Sequence, residues 1–196
     1  TARRHLAACE YCGDKGIFGY GLSSGYESLT NLISNAGVVA TDTTGVGTVR
    51  EGVAACDYGG DKGIFGYGDD AAGGSLSMTN LVSNAGVVAT DTTGVGTARN
   101  SLAACEYGGD KGIFGYGIIS PVTAVSNLVS NVGVVATDTS GVGTARRQLA
   151  ACGYGLDKGI FGYGGGYVSM TNLVSNAGVV ATDTTGVGTG RQLLAA

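Results

Sequence analysis

Four cysteines share one phase of the chain. Cys9, Cys56, Cys105 and Cys152 each close the phrase Ala-Ala-Cys. Gathered round a common axis, four soft thiolates would suit Zn²⁺ or Cu⁺. The bland role is a compact apolar residue packed among alanines, and packing is the expectation here. Cys12 is the odd thiol. It forms one Cys-x-x-Cys with Cys9, without the partner pair that a metal or redox motif needs. Five cysteines do not suggest a disulfide framework. His5 is the only histidine. There is no nucleophile elbow, no phosphate loop and no glutamate pair. Catalysis therefore lacks a residue set, and no cofactor is expected; a metal-dependent oxidase is the remote alternative.

Two acidic positions recur. Asp14-Lys15, Asp61-Lys62, Asp110-Lys111 and Asp157-Lys158 follow glycine-rich text and read as turn residues. Asp42, Asp91, Asp138 and Asp183 sit inside Thr-Asp-Thr, within β-branched runs that disfavour Asp. They are expected to bond nearby backbone N–H groups, and to form salt bridges with the recurring Arg50, Arg99, Arg146 and Arg191. Ca²⁺ binding with neighbouring threonine hydroxyls is the alternative.

These positions recur because the chain repeats itself. The turn aspartates 14, 61, 110 and 157 lie 47, 49 and 47 residues apart. The units run 1–49, 50–98, 99–145 and 146–188, and 189–196 opens a fifth. Such a period belongs to propellers, solenoids and arrays. Gly supplies 38 of 196 residues without a collagen period, which indicates tight turns and close packing. Within unit two, Val53–Tyr58, Gly63–Gly68, Leu76–Val82 and Val87–Thr92 read as four short strands. Gly breaks every helical candidate. The expected fold is all-β: a β-propeller of four-stranded antiparallel blades, closed as a four-blade ring or continuing as a larger ring or array. The small Ala-Ala-Cys strand would lie innermost, where blades crowd the axis.

The layout resembles kelch-type repeats, the blades of kelch and galactose-oxidase-like propellers. An Arg precedes the first strand (Arg50, Arg99, Arg146), that strand is small and apolar, and the second ends in a glycine step (Gly66-Tyr67-Gly68). The chain departs from that pattern in having no Trp, and in placing Gly-Gly directly after the tyrosine only at Tyr163-Gly164-Gly165. The DKGIFGYG phrase also resembles repeats of environmental microbes and their viruses. The resemblance implies protein or glycan binding; the oxidase chemistry of some relatives is carried by no residue here.

Copy length varies in one place. From the Tyr of Gly-Tyr-Gly to the following repeat Asn the separations are 11, 13, 11 and 9 residues (Tyr20–Asn31, Tyr67–Asn80, Tyr116–Asn127, Tyr163–Asn172). One variable loop per rigid unit is how binding surfaces are built. Tyr26, Glu27, Asp69, Asp70, Ile118, Ile119 and Tyr167 are the candidate contact residues, for a glycan or protein ligand. Net charge is −4 and comes from non-repeated acids such as Glu10, Glu51, Asp57 and Glu106. No basic stripe exists, so nucleic acid is not an expected partner. No apolar run reaches the roughly 20 residues of a membrane helix. The chain opens and stops in mid-phrase, as expected of a segment of an array or a self-associating subunit. An adhesin or fibre protein, extracellular or on a virion surface, is the concrete form of this reading.

Overall fold

The computed structural model describes residues 1–194. Each unit folds as a three-stranded antiparallel meander: β1 (Ala7–Tyr11), β2 (Lys15–Gly19) and β3 (Thr30–Ile33) in the first, β4 (Ala54–Tyr58), β5 (Lys62–Gly66) and β6 (Thr79–Val82) in the second. β7 (Ala103–Tyr107), β8 (Lys111–Gly115) and β9 (Ser126–Val129) form the third; β10 (Ala150–Tyr154), β11 (Lys158–Gly162) and β12 (Thr171–Val174) the fourth. There is no helix among the described residues, hence none able to cross a membrane. The register is identical throughout: Cys56 faces Ile64, and Ile64 faces Leu81, as Cys9 faces Ile17 and Ile17 faces Leu32. The first hairpin turns on two left-handed residues, Gly59 and Gly60, at φ +65° and +75°. Cys12 takes the first of these positions at φ +58° in unit one, which costs a side chain about 1 kcal/mol.

The expected fourth strand is not a continuous strand. Val88 pairs with Val82 and Thr92 with Thr79, so one extra residue bulges between the two bridges. The Asn80 amide fills the gap. It donates to the Ala89 carbonyl (3.0 Å) and to Asp91 Oδ1 (2.9 Å), replacing ladder bonds that the bulge removes. The same Asn-to-Asp contact recurs at Asn31, Asn127 and Asn172.

Successive sheets stack face to face, β1 on β4, β4 on β7 and β7 on β10. Glycine clears the way. A Cβ on Gly66 would lie 2.7 Å from Phe114 Cζ of the next sheet, and one on Gly63 would lie 2.5 Å from Cys9 Sγ of the preceding sheet. Each phenylalanine so admitted meets the tyrosine of the preceding sheet edge-on, Phe65 against Tyr20 at 5.2 Å between ring centres. The small strand residues thus serve close approach between sheets along a row, not taper toward an axis.

Every junction is tied by the linker that crosses it. Arg99 is fully buried, with its guanidinium carbon 4.2 Å above the Tyr67 ring of the preceding sheet. On the following sheet its Nη2 donates to Asn127 Oδ1 (2.7 Å) and its Nε to the Tyr116 carbonyl (2.9 Å). Arg50 and Arg146 repeat the stacking on Tyr20 and Tyr116 and the bond to Asn80 and Asn172. The stacking tyrosines hold φ near +63°, an uncommon conformation for an aromatic residue.

The row does not close on itself. The three apolar cores lie between sheets one and two, two and three, and three and four. Phe18 at one end is only half-buried, whereas Phe65, Phe114 and Phe161 are fully buried. Cys152 at the other end is exposed, whereas Cys56 and Cys105 are buried. Of the expected arrangements, a closed four-blade ring or a larger ring or array, the closed four-blade ring is not formed: the four sheets stand as an open row. The two end faces are unlike and do not meet.

This packing predicts an asymmetry between chemically identical substitutions. Gly66→Ala should destabilise by about 1–3 kcal/mol through overpacking against Phe114. Gly162→Ala should cost nothing, because the added carbon meets only its own sheet's Thr171, at 3.4 Å. Urea melts of the two variants check this; equal losses would overturn the glycine-clearance account.

Candidate recognition face

The length-variable loops begin directly after each left-handed tyrosine. The first loop residue of each unit pairs with the residue that follows the buried arginine. Leu22 bridges Arg4, Asp69 bridges Glu51, and Ile118 bridges Asn100; in unit four the Gly165 N–H donates to the Arg147 carbonyl (2.7 Å). The residues after the arginine also differ between copies: Arg4-His5, Glu51-Gly52, Asn100-Ser101, Arg147-Gln148 and Gln192-Leu193. Two variable segments thus lie side by side in every unit. The second escapes a search for length changes, since its length is constant. Aligning the copies residue by residue exposes it.

The second residue of each such pair forms a column along the row. His5, Gly52, Ser101, Gln148 and Leu193 all have φ between +53° and +62°. The Gly52 N–H donates to the His5 carbonyl (3.1 Å), Ser101 to Gly52 (3.0 Å), Gln148 to Ser101 (2.9 Å) and Leu193 to Gln148 (3.0 Å). A groove of about 560 Å³ follows this column across the units. Val53, Leu102 and Leu149 back it with buried apolar surface.

Its polar wall is internally bonded. His5 Nδ1 is 2.6 Å from Glu51 Oε2. Asp69 Oδ1 accepts from the Ser75 hydroxyl (2.7 Å) and the Asn100 amide (3.0 Å), and the Ser101 hydroxyl donates to Asn100 Oδ1 (2.7 Å). Of the residues singled out from sequence, Asp69 lines the groove. Tyr26 is half-buried beside it; partial burial and then the Glu51, Asp69 and Asp70 carboxylates push its phenol up. Glu27 accepts from the Ser23 hydroxyl. Asp70 is turned into its own loop, accepting the N–H groups of Ala72 and Gly74 at 2.9 Å each. Ile118 is half-buried at its bridge to Asn100, and Ile119 and Tyr167 are exposed.

The other recurring side chains serve the scaffold. The expected salt bridge between the Thr-Asp-Thr aspartate and the repeat arginine is replaced by an intervening asparagine. Asn80 takes Arg50 on its oxygen and Asp91 on its nitrogen. Asp91 also accepts the N–H (3.0 Å) and hydroxyl (2.8 Å) of Thr48 from the preceding linker. Only Arg146 and Asp183 approach each other, at 4.0 Å. Arg191 lies 4.6 Å over the Tyr163 ring. The turn aspartates pair with their own lysines and accept from the hairpin asparagines, as Asp110 does from Asn131 (3.0 Å). The thiols are strung along the row, one per sheet. Burial pushes those of Cys9, Cys56 and Cys105 up, so they stay protonated. Among the described residues no group of three or more His, Cys, Asp or Glu is placed to hold a metal ion.

At the other end of the first strands, Glu10, Asp57 and Glu106 occupy equivalent positions on three adjacent sheets and line one cleft. Burial, and next the Asp57 carboxylate beside it, push Glu106 up to about 7. The fold therefore holds this proton more tightly than the unfolded chain does. Its stabilising contribution is complete below about pH 4.5 and is lost as pH rises through 7. Glu106→Gln should melt higher than the parent at pH 8, with the gap closing at pH 5. Thermal melts at the two pH values check this, and a gap independent of pH would refute it.

No protein-family model matches the chain, and no curated protein matches it.

Proposed function

We propose that the chain is a non-enzymatic repeat scaffold that recognises a glycan or protein through its variable face, at a cell or virion surface. One observation carries this reading. Between near-identical copies, residue differences are densest in two segments, which the fold lays edge to edge beside a groove; a smaller set falls at the first hairpin, at Glu10, Cys12 and their equivalents. Drift alone has no reason to favour two segments that touch. Most of the remaining side chains with chemical potential are engaged elsewhere, the Cys9, Cys56 and Cys105 thiols in packing and the turn aspartates in hairpins. On this reading the sheets are propeller-type blades of kelch-like layout, set in an array. The bulged segment after each third strand is the remnant of a fourth.

A second reading, assembly by self-association, draws on the unmatched end faces. Arg3 has its asparagine, Asn31, while Arg191 has its tyrosine, Tyr163. Each holds half of the contact set that Arg50, Arg99 and Arg146 hold whole. Stacked end to end, two copies would share one complete junction once one of the two linker segments yields its place.

Two measurements test these readings. Grafting the unit-three segments 100–101 and 118–125 onto unit two should abolish or redirect binding on a glycan or protein array while leaving the melting temperature within a few degrees. An array profile unchanged by the graft would sink the recognition reading. Light scattering should show concentration-dependent oligomers that increase when residues 1–6 are deleted; a monomer in both cases would sink the assembly reading.

A further inference from the structure

The groove's chemistry narrows the ligand, and the narrowing rests on the recognition reading above. We infer that the groove binds a neutral, linear oligosaccharide lying along the row of sheets.

Shape comes first. Equivalent residues of the column are joined directly by N–H···O=C bonds, so the wall offers one position per unit in a continuous line, with side chains at His5, Ser101, Gln148 and Leu193 and none at Gly52. Five such positions in register suit an extended chain with a short repeat, not a compact ligand. The volume lies within the roughly 300–1,000 Å³ range of small-ligand sites.

Backbone chemistry comes next. The N–H groups of Gly52, Ser101, Gln148 and Leu193 already donate within the column, and the carbonyls of His5, Gly52, Ser101 and Gln148 already accept. An extended peptide added by strand pairing would need those groups free. Recognition must therefore run through side chains.

The side chains match hydroxyl groups. Glu51, Asp69, Ser101 and Gln148 offer carboxylate, hydroxyl and amide groups, held in place by Asn100, whose own amide is engaged within the wall. Asp69 Oδ2 remains as an acceptor, because Asp69 Oδ1 already holds Ser75 and Asn100. No Lys or Arg lines the groove, and two carboxylates do, so a sulfated, phosphorylated or otherwise anionic ligand is repelled. Val53, Leu102 and Leu149 are buried behind this polar wall, so the ligand is met through its hydroxyl groups.

Backbone conformation adds an independent sign. Gly52 shows that glycine fits the left-handed column, yet His5, Ser101 and Gln148 keep polar side chains there at φ +53°. Each is strained relative to a relaxed backbone. Those side chains are retained against stability, as expected where they contact a ligand.

The test titrates the full chain by calorimetry with neutral β-linked glucose and N-acetylglucosamine oligomers of two to six units. A sulfated hexasaccharide and a lysine-rich decapeptide run in parallel. Affinity for a neutral series should rise about tenfold or more from two to four units, as successive column positions engage. Gln148→Gly should weaken that binding about fivefold to tenfold, the loss of one side-chain hydrogen bond, while raising the melting temperature. A merely structural Gln148 would not move the two readouts in opposite directions. Binding of the sulfated saccharide or the peptide with no neutral oligomer bound overturns the sugar assignment but leaves recognition standing. Neutral-oligomer binding that is lost on loop grafting yet unaffected by Gln148→Gly and Asp69→Ala overturns the groove assignment. No binding of any probe, together with an unchanged array profile after grafting, overturns both.

Discussion

A guanidinium buried between two sheets governs this structure. Removing a cation from water costs several kcal/mol unless every donor finds a partner and the charge is compensated. Arg99 meets that demand by drawing on three sources at once: the Tyr67 face of the sheet before it, the Asn127 amide of the sheet after it, and the Thr97 and Tyr116 carbonyls. The clamp is complete only when two sheets are in place, so it couples neighbours that share no strand ladder. It also explains why so much of the repeat is invariant between copies. Tyrosine supplies the ring, asparagine relays between arginine and aspartate, aspartate anchors the linker threonine, and glycines let the sheets come close enough for these to meet.

The same clamp determines where variation is tolerated. Once Arg50, Arg99 and Arg146 are held, the residues immediately after them emerge at a defined point on the sheet edge, facing the exit of the Tyr-Gly step. Side chains there contribute little to the junction. They can differ from copy to copy without loosening the stack, and they gather in one groove. Scaffold and recognition face are thereby separated within each unit, which is the physical basis for reading the groove as the functional part.

Five of the non-repeated acids divide between two sites. Glu51 and Asp69 belong to the groove, with Tyr26 and Asp70 at its edge; Glu10, Asp57 and Glu106 crowd the opposite end of the first strands. The second group weakens the fold as pH rises, because adjacent sheets press like charges together at the distance that glycine packing sets.

Much was legible in the chain itself. The period, the glycine turns and the two-residue alternation determine four all-β units, the first three strands of each and the length-variable loop, because these depend on local backbone preference and on near-identity between copies. Tertiary structure decided the rest. Whether the units close into a ring or run as a row depends on whether the two end faces meet, which no local signal encodes. The Asp–Arg pairing suggested by charge balance gave way to an asparagine relay, since a neutral amide serves both ions and also fills the bulge in the fourth segment. Cys9, Cys56 and Cys105 turned out to pack on Gly63, Gly112 and Gly159 of the next sheet, contacts more than fifty residues apart in the chain. And the second variable segment acquired meaning only when the fold placed it against the first, because proximity across a sheet edge is a property of packing and not of sequence order.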